Sequence, residues 1–174
     1  GLDVDKLIEI KYSNQDIRAH SAIDPSMEGY DPNFKSSWEK RDLKKAKALL
    51  AEVGFPEGRG LPPLVMPTGD DALARTLDDL LKRQLAEVGI VLKPEAMTFP
   101  ELSKRLRSGN FGVCGIGYAS SIPDVDDSTG IFHSRMIPTG VNVAGYQNTK
   151  VDALVDSIEE LENGPARLKK VKEL

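Results

Sequence analysis

Cysteine is nearly missing from this chain of 174 residues. Cys114 stands alone, so no internal disulfide can form and cysteine usage does not report the redox compartment. Long apolar runs are also missing: nothing approaches the ~18–20 residues of a membrane span, and no signal-peptide core is present. An excess of one charge is lacking as well, with 23 basic and 27 acidic residues giving a net −4. That balance argues against a nucleic-acid partner, which would call for a basic face or stripe. The one local basic excess, Lys40, Arg41, Lys44, Lys45 and Lys47, reads as a solvated helix face. Histidine occurs only at His20 and His133, without a Cys or His neighbour at zinc-ligand spacing.

What is present is ordinary for a globular chain: 40% hydrophobic and 29% charged residues. A chain of this length can form one domain burying roughly 70% of its unfolded surface. It starts at Gly1 without methionine, and Lys169–Leu174 reads as mid-helix. Both ends point to an excised domain, so a missing export signal says little about location.

Residues 1–38 have weak periodicity: a short helix over Asp3 to Ile10, then turn-rich chain through Pro25 and Gly29-Tyr30-Asp31-Pro32. The α/β core is expected over 39–174. Asp42 caps a helix with Leu43, Ala46, Leu50 and Val53 on one face, ended by Gly54 and Pro56. Leu61–Pro67 is a strand bounded by prolines. Thr68-Gly69-Asp70-Asp71 opens a helix carrying Leu73, Leu77, Leu80, Leu81, Leu85 and Val88, closed by Gly89. Ile90–Lys93 is a second strand, and Thr98-Phe-Pro-Glu101 is a capping box for the next helix. Phe111–Tyr118 is a third strand, followed by helices around Asp126–His133 and Asn148–Leu161. This alternation predicts an α/β layered fold. Leu-Ala-Glu-Val-Gly occurs at 50–54 and again at 85–89, both helix ends, so shared stop chemistry explains the echo better than a repeat.

The segment Gly109–Val155 carries the functional signal. A small-residue strand ends at Tyr118 and passes into hydroxyls and carboxylates, a common way to set groups at a ligand cleft. Gly109, Gly112, Gly115 and Gly117 lie inside that strand and do not match a dinucleotide fingerprint. Asp124 opens a calcium-like run that fails at its sixth position, Thr129, and its twelfth, Arg135. A helix cap is the better reading there. Cys114 reads as a small core thiol, with a Cys114–His133 nucleophile pair as the sharper alternative. The signal is one of binding; an α/β enzyme domain with a site at the end of Phe111–Tyr118 is the alternative.

Together these segments resemble the dipeptide/oligopeptide-type extracellular solute-binding proteins, the capture subunits of ABC importers. Asp42–Gly58 is similar to their DPEKAKALLAEAGYPDG signature, and Ile23–Pro32 to their PPGMWGYDP run. Leu81–Val91, Asn142–Leu154 and Ala166-Arg167 match three further motifs in order. The resemblance implies an α/β, periplasmic-binding-protein-like (type II) lobe, with a mixed sheet flanked by helices. Residues 1–174 would be a single lobe of a two-lobed protein. It implies a non-enzymatic protein without cofactor or metal, and a monomer. Its partners would be a small-molecule or peptide ligand and, through the full-length protein, a membrane permease. It implies a periplasmic or extracellular location, free or lipid-tethered. Without its partner lobe, the chain is expected to bind no ligand.

The resemblance also assigns the ligand residues: Tyr118, Ala119, Ser120, Ser121 and Asp124. Tyr118 stands where the family places an aromatic against the ligand. Ser121 stands where peptide binders carry an aspartate for the α-amino group, so a charged anchor becomes a neutral hydrogen bond. The loop after Pro67 reads Thr68-Gly69-Asp70-Asp71, without the arginine that dipeptide binders can place there. A plain zwitterionic dipeptide is therefore a poor match. Asp124 could pair with a cation, with a cap or turn role as the better reading.

Overall fold

Caps and stops set the helices, and the sheet is built between them. The computed structural model describes residues 1–37, 40–118, 124–137 and 139–174. The chain divides into two units: 1–18, 37–106 and 110–115 form the first, and 19–36, 107–109 and 116–174 the second.

The first unit holds α1 (Val4–Tyr12), α2 (Leu43–Glu52), β1 (Leu64–Gly69), α3 (Ala72–Ala86), β2 (Leu92–Met97) and α4 (Phe99–Arg107, whose last residue falls in the second unit). Aspartates open three of these helices. Asp3, Asp42 and Asp71 accept hydrogen bonds from the amides of Lys6, Lys45 and Ala74 at 3.0, 2.8 and 2.9 Å. Each satisfies a donor the helix leaves open. At α4, Glu101 reaches back to the Thr98 amide at 3.1 Å, the expected half of a capping box.

The two Leu-Ala-Glu-Val-Gly segments end α2 and α3 in the same way. Phe55 N–H donates to Leu50 C=O (2.8 Å) and Gly54 N–H to Ala51 C=O (3.1 Å). Ile90 and Gly89 repeat this onto Leu85 and Ala86, both at 3.0 Å. Gly54 and Gly89 have φ of 91° and 89°, so both are Schellman stops. The chain after the first stop then packs on the second: a Cβ on Gly89 would lie 2.1 Å from the Glu57 carbonyl oxygen.

β1 and β2 pair in parallel, Leu64 opposite Leu92 through Gly69 opposite Met97. Both strands begin later than expected. Pro62 and Pro63 lack the N–H a ladder needs, and β1 runs on to Gly69, two residues before Asp71, which caps α3. Residues 111–118 form no strand, a correction to the expected third strand and mixed sheet. Gly112 and Val113 both donate to Val65 C=O, at 3.0 and 3.2 Å, and the ladder goes no further. The glycines of this run supply no side chain to pack and lose the most entropy on ordering.

The core of the first unit includes Met66, Leu80, Val88, Leu92 and Leu106. On α3 the buried face also takes Asp78 and Gln84, whereas Leu73 is exposed. Gln84 Oε1 accepts from the Asp3 amide at 2.8 Å. Lys40, Arg41, Lys44, Lys45 and Lys47 are exposed, as a solvated face requires.

The second unit contains α5 (Val125–Thr129), α6 (Thr149–Glu159) and α7 (Pro165–Val171), with short 3-10 turns at Gly130–Phe132 and Ser134–Met136. Ile23, Met27, Val125, Ile158 and Val171 form its core, with Tyr30 and Leu154 against them. Among the described residues no helix is long and apolar enough to cross a membrane.

Candidate functional site

Of the five residues assigned by resemblance, Ala119, Ser120 and Ser121 lie outside the described residues. Tyr118 and Asp124 border them, both in the second unit. Tyr118 keeps nearly half of its surface exposed, at 47%, and its hydroxyl donates to the Val141 carbonyl. The ring therefore has open area and a fixed hydroxyl, which suits an aromatic wall.

Asp124 is the N-cap of α5: its Oδ1 accepts from the Asp126 amide at 3.0 Å. The same oxygen accepts from Arg167 Nη2 at 2.6 Å, and Asp126 Oδ1 takes that nitrogen at 2.8 Å. The Asp126 amide and the Arg167 guanidinium hold the Asp124 carboxyl below the usual carboxylate range. Arg167 is buried on α7, with Nε donating to Ile158 C=O (3.3 Å) and Nη1 to Asn163 Oδ1 (3.2 Å). The carboxylate considered for pairing a ligand cation thus has a cation of its own.

The loop that meets Tyr118 is built by Asn142, which is buried. Its Nδ2 donates to the carbonyls of Tyr146 (2.9 Å), His133 (3.3 Å) and Phe132 (3.4 Å), and its Oδ1 accepts from the Tyr146 amide at 3.0 Å. Tyr146 stacks edge-on against Phe132, centroids 6.5 Å apart, and its hydroxyl accepts from Asn148 Nδ2 at 3.1 Å. Asn148 in turn caps α6, accepting from the Lys150 amide at 3.0 Å. The Asn142–Leu154 motif is thus a turn, a bracing ring and a helix cap in succession.

Acids spaced along one face of α6 hold the preceding segment. Asp152 accepts from the Ser134 amide (3.0 Å) and hydroxyl (2.7 Å), bonds that lower its pKa. Asp156 Oδ1 takes His133 Nε2 at 3.1 Å and Arg135 Nη1 at 2.7 Å, and Glu159 takes Arg135 Nη2. His133 Nδ1 accepts from the Arg135 amide at 3.0 Å. The proton of a neutral ring therefore sits on Nε2. Sequence reasoning missed this cluster and the Arg167 cluster, because the partners lie about twenty to forty residues apart.

Neither arrangement supports the enzyme alternative. His133 has both nitrogens engaged in the turn before α6. Burial pushes the Cys114 thiol up, away from the thiolate a nucleophile needs. Among the described residues no group of three or more His, Cys, Asp or Glu is placed to hold a metal ion. In the loop after β1, Asp71 caps α3, and the nearby guanidinium of Arg75 donates to Asp70 C=O at 2.6 Å. That arginine lies one turn into α3, beyond the loop itself.

The architecture is that of the type II periplasmic binding proteins. HbpA2 from Haemophilus parasuis superposes with a TM-score of 0.86 at 23% identity, covering 98% of this chain and 34% of that one. The ABC transporter-associated periplasmic binding protein DppA from Helicobacter pylori, in complex with the peptide STSA, gives 0.86 at 23%, covering 99% and 33%. Residues 1–135 match the model for bacterial extracellular solute-binding proteins, family 5 Middle, and the chain belongs to that family. It is a family of binding proteins rather than enzymes. Heme-binding protein A of Haemophilus influenzae is 23% identical over 175 residues, covering 99% of this chain and 32% of that protein. The dipeptide-binding protein of Escherichia coli is 27% identical over 129 residues, covering 73% and 24%. The chain therefore spans about a quarter to a third of the length of the curated relatives it matches.

Proposed function

We propose that the protein is the substrate-binding component of an ABC-type importer, with residues 1–174 as one of its two lobes. It captures a peptide-like or other small polar solute in an interlobe cleft and delivers it to a membrane permease. The observation that carries this reading is the family match across residues 1–135. Solute capture needs a preformed cleft and a few polar groups, not turnover. That agrees with a histidine and a cysteine that show no sign of activation.

The ligand meets Tyr118, Ala119, Ser120 and Ser121, with Asp124 closing the stretch. Tyr118 supplies apolar area, and the serines replace hydration with neutral hydrogen bonds. Ser121 in the aspartate position disfavours a bare ammonium group, which directs the reading away from a plain dipeptide. The names of the relatives, heme-binding and dipeptide-binding, already span unlike ligands. We place the protein outside the cytoplasmic membrane, as a monomer that is free or lipid-tethered.

Native mass spectrometry of the full-length protein, purified without refolding, tests the reading. A co-purified peptide-like or polar solute is expected, lost or weakened in Tyr118→Ala. Retention of the same solute at equal occupancy in that variant sinks the assignment of Tyr118. Chemical conversion of the solute by the protein sinks the binding-protein reading itself.

A further inference from the structure

We propose that Asn142 is the positioning residue for Tyr118, so that ligand recognition depends on a buried carboxamide that does not touch the ligand. This rests on the reading of Tyr118 as a ligand contact. Tyr118 is half exposed, and an exposed aromatic ring ordinarily samples several rotamers. Here its hydroxyl is tied to a main-chain oxygen, that of Val141. The value of this tie depends on how firmly Val141 is held. Val141 immediately precedes Asn142, and its own amide donates to Met136 C=O at 3.2 Å. The Asn142 amide reaches the same carbonyl at 3.3 Å.

The Asn142 side chain then joins three stretches of backbone that nothing regular connects. It bonds the carbonyls of Phe132 and His133 on one side and both main-chain groups of Tyr146 on the other. One buried amide group thereby replaces a strand ladder, using both its donor and its acceptor ends. The far side of this construction is anchored to α6, through Asp152 on Ser134 and Asp156 on His133. The Val141 carbonyl is thus presented to Tyr118 from a turn fixed to a helix. Aspartate lacks the donors this arrangement uses, and glutamine carries its amide one methylene further from the backbone.

The test uses full-length protein labelled with 13Cζ-tyrosine, with Tyr30, Tyr118 and Tyr146 assigned by Tyr→Phe substitution. In Asn142→Asp and Asn142→Ala the Tyr118 resonance is expected to move toward the free amino acid. In Asn142→Ala, which removes the Oδ1 acceptor as well as the donors, the Tyr146 amide should lose exchange protection, while Tyr30, which packs on the core of the same unit, should stay in place in both variants. Tyr118→Phe is expected to leave the Tyr146 amide protected, since the positioning runs from Asn142 to Tyr118. An unmoved Tyr118 resonance in either folded variant overturns the proposal, as does lost Tyr146 protection in Tyr118→Phe.

Should both Asn142 variants unfold, wild-type protein in mild denaturant decides. There the Tyr118 shift must follow release of the Tyr146 amide, and a shift that precedes it overturns the proposal. No ligand enters these readouts. Failure of the positioning is therefore seen apart from failure of the ligand assignment, which shows as unchanged solute occupancy in Tyr118→Ala.

Discussion

Arg167 and Asp78 show how single charged side chains act in opposite ways here. Arg167 is buried and has four oxygen partners, two of them on Asp124 and Asp126. Removing one member of a fully buried pair costs about 3–5 kcal/mol. Both carboxylates remain about a third exposed, at 31% and 39%, so water recovers part of that loss. Arg167→Met is expected to destabilise by about 2 kcal/mol in urea unfolding. Asp78 carries the reverse sign. Burial raises its pKa, and neighbouring Asp79 adds to this, while a Thr68 hydrogen bond opposes it. At neutral pH its ionised form therefore costs stability. Asp78→Asn keeps an acceptor for Thr68, and its melting temperature at pH 7 should exceed the wild type by a few degrees. That gain should fade as pH falls through the raised pKa, where wild-type Asp78 takes up its proton. A gain that persists unchanged at pH 4 would discredit burial of the charge as the cause.

Helix ends were the most legible elements, because capping depends on residues three or four positions apart. Asp42, Gly54, Gly89 and Asn148 all mark boundaries the sequence predicts. The strands were less legible: Pro62 and Pro63 shifted the first, and 111–118 formed none, since pairing depends on a distant partner edge. The candidate site was legible mainly as a motif. What Asn142 does within it follows from carbonyls that no local pattern reveals. The twin helix stops sharpen the point, since identical local sequence meets different surroundings. Gly54→Ala faces open space, so its cost is the left-handed backbone alone, about 1 kcal/mol. Gly89→Ala adds a collision with the Glu57 carbonyl and should cost at least twice as much. Equal losses in parallel thermal melts would argue against that backbone contact.

At the scale of the whole molecule, the two units should respond differently to acid. In the second, hydrogen bonds lower the pKa values of Asp24, Asp124 and Asp152. A depressed folded pKa adds stability that is present above the unfolded value, 3.8 for these groups, and lost as pH falls below it. In the first unit Glu101 behaves likewise, but Asp78 works against it, gaining stability on acidification. Hydrogen exchange at pH 3.5, compared with pH 7, should show α5, α6 and α7 losing protection before β1, α3 and β2. The opposite order would refute this account.

The two-stranded sheet has a further consequence, for solubility. β1 carries Pro67 and β2 carries Pro94, close together across the pairing, with Met66 opposite Pro94 and Pro67 opposite Glu95. Each proline removes a main-chain donor, and Val65 already accepts from Gly112 and Val113. The sheet is therefore a poor template for a foreign strand, which needs an uninterrupted row of open donors and acceptors. If the chain aggregates when heated, its deposits should begin from exposed side chains such as Phe99 and Val91 rather than from cross-strand growth along β1. Pro67→Val would restore a donor and, with it, an aggregation hazard that the native sequence avoids.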